Sequence, residues 1–174
     1  MIKAALFLGN PGKEYARTRH NAGYLLADYL FPSSIWSVKF HSAYAKEGAL
    51  YILKPLTLMN LSGTAACEVK SFFKLKNDEI LVVHDDMELP SGCAKFQLGG
   101  GTKGHNGLKN IKERIGGEDF FRLRIGIGRP VHDAPAAYVL RPFSEKETAV
   151  LNALFEMIKK KDIFSCSTEF TLKV

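Results

Sequence analysis

Short, nearly unbroken apolar runs that stop abruptly at polar residues constrain this chain most. Ile2 to Leu8 is interrupted only by Lys3, and Ile80 to Val83 is continuous. Each is too short for a helix and offers no polar face to water, so each reads as a strand buried on both sides of a sheet. Such a sheet needs helices over both faces, and helical spacing duly follows. Ala22, Leu25, Leu26, Tyr29 and Leu30 recur at helical intervals from near Asn21. Ser62 stands where an N-cap would open a helix through Phe73, with Ala65, Ala66, Val69, Phe72 and Phe73 turned inward. Leu108, Ile111 and Ile115 mark a third helix from about Gly107 to Ile115. Ser144 with Glu147 is a capping-box signature for a last one, whose stripe is Val150, Leu151, Leu154 and Ile158. Further strands are Leu50 to Leu53, a half-exposed or edge strand Ala94 to Leu98, and Leu123 to Ile127, which carries Arg122 and Arg124 on one face. Pro130 to Ala137 reads as a loop. The expected fold is α/β: a mixed twisted β-sheet flanked by α-helices, in a single domain over residues 1–174.

Composition narrows the function classes. With 174 residues, 46% of them hydrophobic, the chain is long enough to bury a core without disulfides or metals. Cys67, Cys93 and Cys166 are odd in number, far apart and without metal-ligand spacing, so neither a disulfide framework nor a zinc site is expected. No stretch reaches the roughly 18 apolar residues of a membrane span, and the first residues read as a strand and not as a signal peptide. The expected setting is the cytoplasm. A formal charge of +6 favours a polyanionic partner without specifying one.

Five polar side chains fall at element ends and off the apolar stripes: Asn10, His20, Asn60, Asp85 and Asn106. Strand ends and loops are where reactive groups are held. Histidine is the natural general base near neutral pH, and a carboxylate such as Asp85 on its other nitrogen fixes the tautomer and favours the imidazolium. Asparagine amides can orient a water, hold a backbone amide or stabilise an oxyanion. Asn10 and Asn106 also sit beside glycines, where asparagine serves as a turn residue, and Asp86 reads as a strand end in solvent.

These residues lie in segments that together resemble the bacterial-type peptidyl-tRNA hydrolase family. The segments are Leu8-Gly9-Asn10-Pro11-Gly12 with Glu14-Tyr15, Thr18 to Gly23, Met59-Asn60-Leu61-Ser62-Gly63, His84-Asp85-Asp86 through Leu89-Pro90, Leu98 to Gly101, Gly104 to Leu108, and Arg122 to Gly128. The resemblance implies a cofactor-free, monomeric α/β enzyme that hydrolyses the ester between a peptide and the 3′ ribose of tRNA. It implies that His20 activates water, that Asp85 orients His20, and that Asn10 and Asn60 position the water, the carbonyl or the peptide backbone. Asn106 would support the water and the tRNA end, while Met59 and Tyr15 would wall the peptide channel. The family's basic pair before the triple glycine is spaced Lys-x-Lys, and here Gln97 follows Lys95. A phosphate clamp with Arg124 thus loses one charge, with Lys95 or Lys103 left to replace it. The region after Arg129 and the tail from Phe164 match the family pattern poorly.

Two rival readings of the sequence remain. Gly99-x-Gly101-x-x-Gly104 satisfies the dinucleotide fingerprint, but Lys95 and Gln97 mark the strand before it as not fully buried, and Lys103 with His105 crowd its turn. A non-catalytic RNA-binding module could use Arg17, Arg19, Lys103 and the Arg122/Arg124 face, though no RNP-like aromatic pattern accompanies them.

Overall fold

In the computed structural model, which describes residues 1–174, the two apolar runs become adjacent central strands. Strand β1 (Ala4–Phe7) is followed by α1 (Ala22–Leu30), β2 (Ser37–Lys39), β3 (Ser42–Glu47), β4 (Leu50–Pro55) and α2 (Gly63–Phe73). Next come β5 (Ile80–Asp86), β6 (Cys93–Leu98), α3 (Asn106–Ile115), β7 (Phe121–Gly126), α4 (Pro135–Val139), α5 (Glu145–Lys161) and β8 (Phe170–Lys173). They form one sheet in the order β2-β3-β4-β1-β5-β7-β6-β8. The four inner strands β4, β1, β5 and β7 run parallel, and antiparallel strands extend the sheet on both sides.

The strand period of two sorts the core. Ala5, Phe7, Leu81 and Val83 project to the face covered by α1 and α5, whereas Ala4, Leu6, Ile80 and Val82 project to the face covered by α2 and α3. Gly23 lets α1 approach the sheet closely: a Cβ there would lie 2.5 Å from the Leu8 carbonyl oxygen and 2.8 Å from that of Val83. The capping box at Ser144 forms as read, with Glu147 N–H on Ser144 Oγ and Ser144 N–H on Glu147 Oε2.

The structure corrects several readings. Ser62 precedes α2, but its hydroxyl bonds the Met59 carbonyl, and Asn110 Oδ1 of α3 accepts the Gly63 N–H at 2.7 Å instead. Phe72 is 60% exposed, because α2 turns it away from the sheet toward Phe40 and Lys39. Strand β6 is not an edge, since the tail supplies β8 on its far side. Part of the expected loop at 130–137 is the start of α4. Arg122 is no surface cation: it is 2% exposed, and its guanidinium donates to the carbonyls of Gly100 and Gly101.

Candidate active site

The parallel strands β1 and β5 end on the same side of the sheet, which brings Asn10 and Asp85 to one rim. His20 reaches that rim from a single helical turn (Arg19–Asn21) just before α1. Its Nδ1 lies 2.8 Å from Asp85 Oδ1. His105, the residue that opens α3, places Nε2 2.9 Å from the same oxygen, its ring centroid 5.0 Å from that of His20. Burial pushes the Asp85 carboxyl up, but the charges and hydrogen bonds of the two imidazoles outweigh it and hold it below the ordinary carboxylate range. His84, one residue earlier on β5, donates Nδ1–H to the Asp85 carbonyl at 2.7 Å and packs edge-on against His105.

Several of the expected residues are joined by contacts that run around the rim, whereas the exposed Asn60 side chain takes no part in them. Asn10 N–H donates to Asn21 Oδ1, and Asn21 Nδ2 returns a bond to the Asn10 carbonyl, so Asn10 is locked to the residue after His20. Asn10 Oδ1 accepts the Met59 N–H at 2.7 Å, which carries the rim on to the turn bearing Asn60. Met59 is buried against Gly107, where a Cβ would fall 2.6 Å from the Met59 sulfur. Gly107 adjoins Asn106, which shares with His20, Asp85 and His105 the lining of a cleft of about 230 Å³. Exposed Lys103 lines that cleft too, together with Pro135, Ala136 and Val139 of α4. Tyr15 is half-buried in a neighbouring turn (Lys13–Tyr15), and nothing ties its ring to the cleft.

Three relationships were not legible in the sequence. The sequence shows His105 crowding a glycine turn, and its place at the N-terminus of a helix after a strand is the signal that marks it. Asn21 holds Asn10. Asp86 is no solvent-facing strand end: it is 8% exposed, and its Oδ2 accepts from Arg124 Nε at 2.8 Å. Arg124 Nη1 in turn donates to Gln97 Oε1 at 2.9 Å, so two of its donor nitrogens are committed inside the protein. Lys95 stands directly across from Arg124 on β6, half-buried.

The dinucleotide reading does not survive this geometry. Its glycine loop follows β6, which is antiparallel to both neighbours, and the buried Arg122 occupies the loop's carbonyls. Fold and site instead define an α/β enzyme with a histidine–carboxylate pair at the carboxyl ends of parallel strands. The model of the peptidyl-tRNA hydrolase family matches residues 5–171. Peptidyl-tRNA hydrolase of Geotalea daltonii is 44% identical over 162 residues, covering 89% of this chain and 85% of that one. The enzyme of the same name from Campylobacter fetus is 44% identical over 178 residues, covering 95% and 96%. The crystal structure of peptidyl-tRNA hydrolase from Acinetobacter baumannii superposes with a TM-score of 0.84 at 33% identity, covering 92% of this chain and 86% of that one. The chain belongs to the peptidyl-tRNA hydrolase family.

Proposed function

We propose that this chain hydrolyses the ester joining a peptide to the 3′ ribose of peptidyl-tRNA, with His20 as general base. The observation that carries the proposal is the 2.8 Å contact between His20 Nδ1 and Asp85 Oδ1 in the lining of the cleft. A carboxylate there holds the ring proton on Nδ1 and leaves Nε2 as the basic nitrogen. Nε2 takes a proton from water as the water oxygen bonds to the ester carbonyl carbon. The resulting imidazolium is stabilised by Asp85 and returns the proton to the departing ribose oxygen.

The other residues take supporting roles on this reading. Asn10 presents its Oδ1 to the Met59 N–H, which leaves its Nδ2 donor for the water or the carbonyl. Asn60 positions the peptide backbone, Asn106 supports the water and the tRNA end, and Met59 with Tyr15 forms the apolar wall. Lys103 and Lys95 supply charge for the tRNA backbone. Arg124 contributes only through what Asp86 and Gln97 leave free. Enzyme action is assigned to a cytoplasmic monomer, and no step requires a metal or cofactor.

Incubation with peptidyl-tRNA and with aminoacyl-tRNA bearing a free amine, each with and without chelator, tests the function. Release from the first substrate alone, unaffected by chelator, is expected. Binding of either RNA without release would make the protein a passive RNA binder.

A further inference from the structure

The His105 ring makes two hydrogen bonds of opposite sense, and together they leave one assignment of its protons. The Leu108 backbone N–H can only donate, and it points at His105 Nδ1 at 3.3 Å, so Nδ1 carries a lone pair. The single ring proton of the neutral imidazole is therefore on Nε2, which faces Asp85 Oδ1 at 2.9 Å. A ring flip would set C–H groups against both partners. His105 is thus a donor of fixed direction, whereas His20 meets the same oxygen with Nδ1 and keeps Nε2 for chemistry.

The neighbours reinforce this arrangement. His105 N–H bonds the Thr102 carbonyl, and its own carbonyl accepts from Lys109 N–H, so its backbone is fixed at both ends. His84 packs its ring edge-on against His105 with centroids 5.1 Å apart and ties the Asp85 main chain through Nδ1. Asp85 Oδ1 consequently receives N–H donors from two sides and is pinned to α3 as well as to the turn bearing His20. A carboxylate free to rotate would give His20 a bond of variable length and direction.

Building on the reading of His20 as base and Asp85 as its partner, we propose that His105 is a positioning residue for the hydrolysis. Its Nε2–H fixes the Asp85 carboxylate where it aligns His20, and its Nδ1 anchors that donor to the helix. A ring serving only as a helix cap would have no effect on turnover.

Two conservative variants separate the roles, because the asparagine amide oxygen reaches the position of Nδ1 while the glutamine amide reaches that of Nε2. His105→Asn keeps an acceptor for Leu108 and removes the donor to Asp85. We expect it to melt with the parent protein while kcat falls on the order of 10-fold with KM little changed, the loss associated with one hydrogen bond to a charged group. His105→Gln restores the donor and loses the cap. It is expected to recover most of kcat while Tm drops by about 2–6 °C. Added to Asp85→Asn, His105→Asn should cost nothing further in kcat, since the residue acts through that carboxylate.

Unchanged kcat in folded His105→Asn, with Asp85→Asn alone strongly slowed, would overturn the positioning role and leave the His20–Asp85 reading intact. Full kcat in Asp85→Asn itself would remove the foundation of both. Additive losses in the double variant would also overturn the proposal, because they would mean that His105 acts elsewhere.

Discussion

His84 shows how one buried side chain sets a property of the whole protein. It is 2% exposed, and its Nε2 has no hydrogen-bond partner. Burial first and the neighbouring His105 second hold its imidazole well below the ordinary histidine range, against the pull of the Asp85 carbonyl and the two carboxylates. In the unfolded chain the same group takes up a proton near pH ~6.5. Below that pH the unfolded state binds more protons than the folded one, so stability must fall as pH drops from about 6.5 toward the depressed folded value, at up to about 1.4 kcal/mol per pH unit from this group. Asp85 is displaced in the sense usual for acids, and its contribution is lost only below its unfolded value of about 4. Denaturant titrations at pH 7, 6 and 5 should therefore show a slope that His84→Asn flattens. Equal slopes in the two proteins would refute the assignment of His84 as buried and neutral.

At the level of elements, packing decides what the sequence could and could not reveal. The central strands were legible because Ile2 to Leu8 and Ile80 to Val83 have no polar alternate face, and α5 was legible from its capping box. The hairpin of β2 and β3 was not, since Ser37, Val38 and Lys39 are all exposed and leave no periodic signal. Nor could periodicity show that the tail adds β8 beside β6, because that pairing joins Cys93 to Lys173 across nearly half of the chain. Phe72 fits the apolar stripe of α2 by spacing alone, but the stripe is wider than the surface that covers it. Gly23 carries a firmer prediction. The atoms a Cβ would meet there are the backbone of Leu8 and Val83, which cannot swing aside, so Gly23→Ala should destabilise the fold by about 1–3 kcal/mol. A shifted denaturation midpoint with an unchanged m-value is the expected readout, and a wild-type midpoint would show that α1 has room to retreat.

Across the whole molecule, the candidate site is a junction of the ends of β1 and β5 with the starts of α1, α3 and α4, which explains why it was only partly visible beforehand. His20, Asp85 and Asn106 stood out because each is polar at an element end, and they do share one cleft. Charge was harder to place. The sequence displayed Arg122 and Arg124 as a basic face, yet the first is enclosed and the second is paired with Asp86. The lining of the cleft holds one Lys or Arg, the exposed Lys103, alongside Asp85, Asp86 and Glu88. Lys103→Ala should weaken tRNA binding and lower the slope of log K against log salt by roughly one. Measuring that slope over a salt series distinguishes a phosphate contact from a bystander, for which the slope would stay the same.

The central claim is that a single imidazole, held by Asp85, activates the water that cleaves the ester. Single-turnover hydrolysis of peptidyl-tRNA by His20→Ala, with folding checked by circular dichroism, tests it most directly. The rate should fall by on the order of 10² to 10⁴ while the protein remains folded. A folded His20→Ala protein that cleaves peptidyl-tRNA at the parent rate would contradict the claim.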